Sequence, residues 1–498
     1  MRGASKNIAY SYINRASALL AGLALVPLFT RLLGPRLYGE LLVIFTITMN
    51  LSLANLGIDQ TLTNRIAEAN ATGKASLIRA LLSTAFYAYT VIAAALVLVL
   101  ALWSPWLCRK FVSQDDRTAA DTLLVVGTFT ALALPFRTYL ILLRGLGRVN
   151  EEQRIGACSV AARAVGIALA LACGLKLLAI AIIHGAATLG AGLAGYLRAR
   201  TLLREIDPSI LRFSYNVLRS LAAPSLGFAV LQVAGAAGFG IDNLIIGYIL
   251  GPEQVTKYAV AFSLIMVGIT LFSTLTGALL PSITALYAEQ NVRLLTRMLS
   301  VTTRLALLYG GAGAAGLWIA GPWIVRWWAG PQIYPGDTTF GLLVLLFVTQ
   351  IMIEPPWMVL VATTRHYGPA AMHVAESALN VALSVWWART WGLPGVIAGT
   401  LVARLITSAW YIPFAAARTL HYTLARVANA LAIPAMLTAG SLIAAFLFLG
   451  RDLRASAASP IMAAIVLSIF GIVFSFATFS REERRAGLNW ATTFIRGR

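Results

Sequence analysis

From about Tyr10 to Phe479 this chain is one apolar run of roughly 20 residues after another, with only short polar breaks between them. A bilayer core about 30 Å thick takes about 20 helical residues to cross. The runs are built from Leu, Ala, Val, Ile, Gly and Phe, whereas most of the Arg and Lys sits in the breaks. Hydrophobic residues make up 59% of the sequence and charged residues 12%. Soluble domains carry about 25% charge, and no polar break here exceeds about 20 residues, too few for a soluble catalytic domain. The expectation is an all-α polytopic membrane protein.

The net charge of +20 would suit nucleic acid, but the basic residues lie at segment ends. There they orient the chain and meet anionic phospholipid headgroups, so no nucleic-acid partner is expected. Spans are expected at about 10–33, 38–62, 78–106, 119–143, 154–175, 177–197, 220–250, 255–288, 298–325, 338–362, 367–388, 394–416, 427–449 and 458–479, about 14 in all. With the N-terminus inside, inner segments hold about 23 Lys and Arg against about 10 outside, the bias of positive-inside sorting. Both termini are thereby placed on the cytoplasmic side of an inner membrane. Met1 to Tyr10 is short and polar, and the run behind it is long enough to span, which reads as a retained first helix rather than a cleaved signal. Cys158 and Cys173 would share one helix about 22 Å apart, too far for a disulfide. With no Cys-X-X-Cys pair, a metal or redox cofactor is not expected.

The chain also repeats itself. Leu33-Gly34-Pro35 closes the first expected span and Leu250-Gly251-Pro252 closes the seventh, 217 residues later. At the same offset Ser83 matches Ser300, and Arg148 matches Arg365. Two six-span halves of like orientation are the mark of parallel repeats, two lobes that rock about a central cavity. The expected organisation is an N-lobe over 1–200, a cytoplasmic inter-lobe loop over 201–218, and a C-lobe over 219–418. Two further spans and a basic tail occupy 419–498.

Ionisable side chains inside spans are costly and usually face a cavity or a partner. Six arginines fall there: Arg15, Arg31, Arg137, Arg163, Arg304 and Arg404. Arg31, near an outer end, can snorkel to the headgroups. Arg15, Arg137, Arg163 and Arg304 lie in the inner halves of their spans and Arg404 near mid-span. The inner-half set describes a positive vestibule open to the cytoplasm, and Arg404 is a further candidate for the substrate. Guanidinium groups stay charged and grip phosphate bidentately, so a phosphate-bearing substrate is the direct reading. The alternative is that each arginine pairs with an acid and only fixes helix packing. Four acids share this setting, Asp59, Asp242, Glu354 and Glu376, as candidates for coupling to H+ or Na+ or for gating. Glu354 precedes Pro355 and Pro356, which bend a helix. Asp242 and Glu354 could equally be a helix-to-helix bonding partner and a static kink.

Other motifs are bland. His184, His366, His373 and His421 lack metal-ligand spacing. Trp323, Trp327, Trp328, Trp386, Trp387 and Trp391 gather near outer ends, where Trp anchors the interface; stacking on sugar rings is the alternative. Gly73-Lys74, the one Gly-Lys pair, is followed by Ala75, so there is no Walker A motif and no ATP hydrolysis is expected.

Three segments carry a family likeness: Arg31-Leu-Leu-Gly-Pro-Arg-Leu-Tyr-Gly39, Leu143-Arg-Gly-Leu-Gly-Arg148, and Asp242-Asn-Leu-Ile-Ile-Gly-Tyr-Ile-Leu-Gly251 with Tyr258-Ala-Val-Ala. On these the chain resembles the multidrug/oligosaccharidyl-lipid/polysaccharide (MOP) exporter superfamily and, within it, the Wzx-like polysaccharide flippases. The resemblance implies a MATE-like V of two pseudo-symmetric six-helix lobes plus two C-terminal helices, opening alternately to each side. It implies a non-enzymatic flippase that moves undecaprenyl-diphosphate-linked oligosaccharide across the bacterial inner membrane. A polysaccharide polymerase and chain-length or export proteins would be its partners. A lipid II flippase and a cation antiporter of the same fold are the alternatives; an acidic lumen would favour the antiporter. A membrane glycan polymerase or ligase is disfavoured, because the largest outer breaks, near 107–118 and 329–337, are short.

Overall fold

The structure is a computed structural model that describes residues 19–51, 55, 57–112, 117–202, 213–222, 224–226, 240–363, 367–420, 436, 440 and 458–479. The expectations for Arg15, His366, His421, most of the 201–218 loop and nearly all of the 427–449 span lie outside the described residues. Helices account for the described architecture, as the apolar runs require, since a span must satisfy its own backbone hydrogen bonds in lipid. Ten of them are long and apolar enough to cross a membrane. The chain is a multi-pass membrane protein of the all-α class, with about 14 helices among the described residues.

The first repeat comprises α1 (Gly34–Leu51), α2 (Ile58–Ala71), α3 (Ala75–Phe111), α4 (Arg117–Gly145), α5 (Val149–Ala172) and α6 (Leu177–Leu202). Then come α7 (Ile241–Leu250), α8 (Pro252–Gly277), α9 (Leu280–Ala288), α10 (Val292–Ala329), α11 (Asp337–Ala362), α12 (Tyr367–Trp391), α13 (Leu393–Ile406), α14 (Ser408–Thr419) and α15 (Ser459–Thr478). Two expected spans, 38–62 and 255–288, are each broken into two helices, α1 with α2 and α8 with α9.

The 217-residue repeat runs through the helix boundaries. The starts of α3 and α10, and the ends of α2 and α9, of α4 and α11, and of α6 and α14, all fall at that offset. So do Pro105 inside α3 and Pro322 inside α10. The backbone repeats as well. Gly34 has φ 81° and ψ 167°, and Gly251 has φ 89° and ψ 165°, a conformation that only glycine adopts without strain. Each therefore turns the chain sharply into a proline that starts the next helix. The α2–α3 turn closes with Lys74 N–H on the Ala69 carbonyl and Gly73 N–H on Asn70; the α9–α10 turn repeats this with Asn291 on Leu286 and Gln290 on Tyr287. Both are left-handed helix terminations.

The chain forms two compact units, Met1–Ala259 and Val260–Arg498. Within the first, the two Leu-Gly-Pro corners touch reciprocally. Thr256 Oγ1 donates to the Pro35 carbonyl at 2.6 Å, and Gly39 leaves no room for a Cβ against the Pro252 carbonyl. Position 39 is to 252 as 256 is to 35 at the repeat offset, the pattern of an isologous contact. In lipid, helices associate through close packing more than through hydrophobic drive. Accordingly α6 turns Gly185, Gly192 and Gly195 onto Phe129, Phe136 and Leu140 of α4. The second unit packs its own core around Ile353, Val359 and Leu360 of α11 and Ile412 and Ala416 of α14.

Candidate functional site

On α4, Thr130, Ala133, Leu134, Arg137, Ile141 and Arg144 follow the i, i+3, i+4, i+7 spacing of one helix face. On α5, Glu152, Gly156, Ser159 and Arg163 do the same. The two faces and α6 enclose a cavity of about 320 Å³ within the first unit, lined among others by Asp59, Arg137, Arg144, Glu152, Ser159 and Arg163. Glycine contacts with α4 hold α6 close, and α6 contributes Thr188, Ala191 and Gly192 to the wall.

The charges in this pocket pair off with one left over. Arg137 Nη2 lies 2.6 Å from Asp59 Oδ2. Asp59 also accepts from the Tyr89 hydroxyl and, at 3.3 Å, from the Asn55 amide, so its carboxylate is fixed at the start of α2. Arg144 is bidentate to Glu152 across the α4–α5 turn. Arg163, half-buried, has no acidic partner among the described residues. A guanidinium in a partly desolvated pocket gains most from an anion that it can hold bidentately. The pocket thus holds two ion pairs and one guanidinium without an acidic partner among the described residues.

The family model for polysaccharide biosynthesis proteins matches residues 4–287, more than half the chain and all of this pocket. The chain belongs to that family. Among solved structures, the family member is similar to a lipid II flippase, MurJ, in an inward closed conformation: 13% identity, TM-score 0.70, 94% of this chain and 98% of that one. An inward-facing multidrug resistance MATE family transporter of the MOP superfamily follows at 16% identity and TM-score 0.66, covering 81% of this chain and 94% of that one. A MOP superfamily transporter from Pyrococcus furiosus, described as having a binding pocket of reverse polarity, gives 14% identity and TM-score 0.59, over 84% and 95% of the chains. No curated protein matches by sequence. The MOP-type likeness read from the motifs is borne out in family and fold.

The motifs themselves now have physical reasons. Gly34 and Gly39 of the first motif make the corner and its close contact. Gly147 in Leu143–Arg148 has φ 76° and ends α4 in a left-handed turn, with Arg148 N–H on the Leu143 carbonyl. Asp242 and Tyr258, from the two halves of the third, bond to one another, the hydroxyl donating to Oδ2 at 3.0 Å. Asp242 is 1% exposed.

Of the candidate substrate arginines, Arg137 and Arg163 come together in the family member's pocket, and Asp59 joins them. Two are placed elsewhere, in the second unit. Arg304 donates to the Thr478 carbonyl at 2.8 Å and lies over the Phe479 ring, holding the end of α15 against α10. Arg404 is 3% exposed and bonds Glu376 at 3.1 Å; Ser408, Thr407 and His373 surround the same carboxylate. Glu354 sits on α11 with Ser273, Thr276 and Gln350 in hydrogen-bonding reach. Arg144 and Glu152 also line the pocket and are not among the charges expected inside spans. The seven-residue spacing of Arg137 and Arg144 on one helix face was the available signal.

Proposed function

We propose that this protein moves an undecaprenyl-diphosphate-linked oligosaccharide across the bacterial inner membrane for polysaccharide export, with both termini in the cytoplasm. It acts as a carrier, not an enzyme, and opens alternately to each side. The observation that carries the reading is Arg163, uncommitted beside two arginines whose charges are already balanced by Asp59 and Glu152. Membership of a polysaccharide biosynthesis family and the lipid II flippase fold support a lipid-linked sugar as the cargo. A diphosphate offers the bidentate oxygens that a guanidinium fits. Arg137 and Arg144 are held in place and balanced by Asp59 and Glu152, so the net positive charge of the site falls on Arg163.

The test is flipping of the lipid-linked oligosaccharide in reconstituted vesicles. Arg163→Ala should slow flipping at least tenfold at normal protein abundance, and Arg163→Lys should recover only part, since it keeps the charge and loses the fork. Parent-rate flipping by the Ala variant would overturn the reading.

A further inference from the structure

Trp323 and Trp327 lie one turn apart at the end of α10 assigned to the outside, with ring centroids 5.7 Å apart and planes 5° from parallel. Trp327 nevertheless remains 67% exposed. Tryptophans at span ends ordinarily anchor the headgroup layer, and the repeat separates the anchor from the exception. Trp323 corresponds to Trp106 at the 217-residue offset, so both repeats place an indole at that level. Trp327 lies about 6 Å farther along the helix axis and corresponds to Lys110, which is exposed. The first repeat thus carries a solvated charge at that level. Both repeats need an anchor equally, so anchoring accounts for Trp323 and leaves Trp327 over.

The polar groups at this helix end diverge in the same way. Arg109 and Arg326 are equivalent positions. Arg109 Nε donates to the Pro105 carbonyl of its own helix at 3.3 Å. Arg326 instead lies 4.2 Å from the centroid of the Tyr334 ring and makes no ion pair among the described residues. Tyr334 replaces Arg117 of the first repeat, and its hydroxyl donates at 2.7 Å to Oδ1 of Asp337, which replaces Ala120. The segment between α10 and α11 is built to hold them: Gly330 and Gly336 take φ 109° and 93°, and Ile333 is fully buried. One helix end therefore gathers an exposed indole, a guanidinium and a carboxylate. A sugar uses all three. The C–H groups of a pyranose face pack on the electron-rich face of an aromatic ring, and its hydroxyls donate to a carboxylate and accept from a guanidinium. A phospholipid headgroup would use the cation and leave the ring and the carboxylate idle.

We propose that Trp327, Arg326 and Asp337 form a sugar subsite that receives a pyranose of the cargo's oligosaccharide on the outer side; the cargo and the sidedness rest on the function proposed above. One ring on one indole binds weakly, which suits a site from which cargo must leave.

The test uses the free oligosaccharide, cleaved by mild acid from the lipid-linked form that accumulates in cells lacking this protein. Its binding to the protein in nanodiscs is followed by saturation-transfer NMR. Trp327→Lys, which gives the second repeat the residue of the first, should weaken binding about fivefold, and Trp327→Tyr should keep most of it. Trp106→Ala, at the anchor position, should stay within about twofold of the parent. A parent that binds no oligosaccharide, or binding that Trp327→Lys leaves unchanged, overturns the subsite. The pocket reading is judged apart from this, by whether binding of undecaprenyl diphosphate, which carries no sugar, needs Arg163. If no lipid-linked oligosaccharide accumulates without the protein, the function proposed above falls and the subsite falls with it.

Discussion

The two repeats share a helix framework and differ in what fills it. In the first, Asp59 faces Arg137; 217 residues on, Thr276 faces Glu354. Arg163 becomes Asn380, whose carbonyl oxygen accepts from Ser384 and Thr400. Ser159 and Ala187 become Glu376 and Arg404, a buried ion pair. So the first repeat keeps a cavity with an uncommitted cation, and the second spends its polar groups on one another. The lesson is that fold and site are written at different positions of one pattern. Helix boundaries, corner glycines and helix prolines are common to both repeats, because packing in the bilayer demands them. The charges between the helices are free to diverge, and it is there that one repeat keeps an open pocket and the other forms a buried brace.

The largest expected effect lies in the brace. Arg404→Ala strands Glu376 in a dry interior and should cost about 3–5 kcal/mol, read as lost abundance and a lower unfolding temperature in detergent. The double variant Glu376→Gln, Arg404→Met should recover most of that, since apolar or neutral replacements of a buried pair are often tolerated. Arg163→Ala should leave the same unfolding temperature unmoved. A stable Arg404→Ala protein with impaired cargo binding would erase the distinction between the repeats.

Next comes the driving force. Asp242, buried and bonded to Tyr258, is proposed as the coupling carboxylate. A charge that crosses the membrane field gains about 2.3 kcal/mol per 100 mV. In vesicles, Asp242→Asn should make flipping insensitive to an imposed pH gradient or potential while cargo affinity is retained. A parent protein that itself ignores both would leave Asp242 a packing role only.

The smallest effect tests the repeat at one backbone position. Gly73 and Gln290 occupy the same left-handed site, at φ 67° and 55°. Glutamine there bears a strain that glycine does not, so Gln290→Gly should raise stability by about 1 kcal/mol, seen as a small rise in unfolding temperature. A drop would mean that the side chain makes a compensating contact.

Much of the fold was legible because lipid leaves the chain few options. Runs of about 20 apolar residues must be helices, and Leu33-Gly34-Pro35 and Leu250-Gly251-Pro252 marked the repeat that the helix ends then followed. The breaks inside 38–62 and 255–288 were not legible, because hydropathy stays high across them and only local backbone geometry interrupts the helix. Of the site, Arg137, Arg163 and Asp59 were visible as charges inside spans. Their grouping was not, since Arg404 and Arg304 look the same in sequence and are set apart by partners far along the chain, Glu376 and the end of α15.

The distinction between the two repeats meets its most direct test in one binding measurement: the affinity of purified protein for an undecaprenyl-diphosphate-linked disaccharide, with Arg163→Asn beside Arg304→Asn. Arg163→Asn gives the first repeat the residue that the second already carries. A lost charge-assisted hydrogen bond costs about 1.5–3 kcal/mol, so its affinity should fall about 10- to 100-fold, while Arg304→Asn stays within twofold of the parent. Equal losses in both variants, or none with Arg163→Asn, would contradict the assignment of anion recognition to the first repeat.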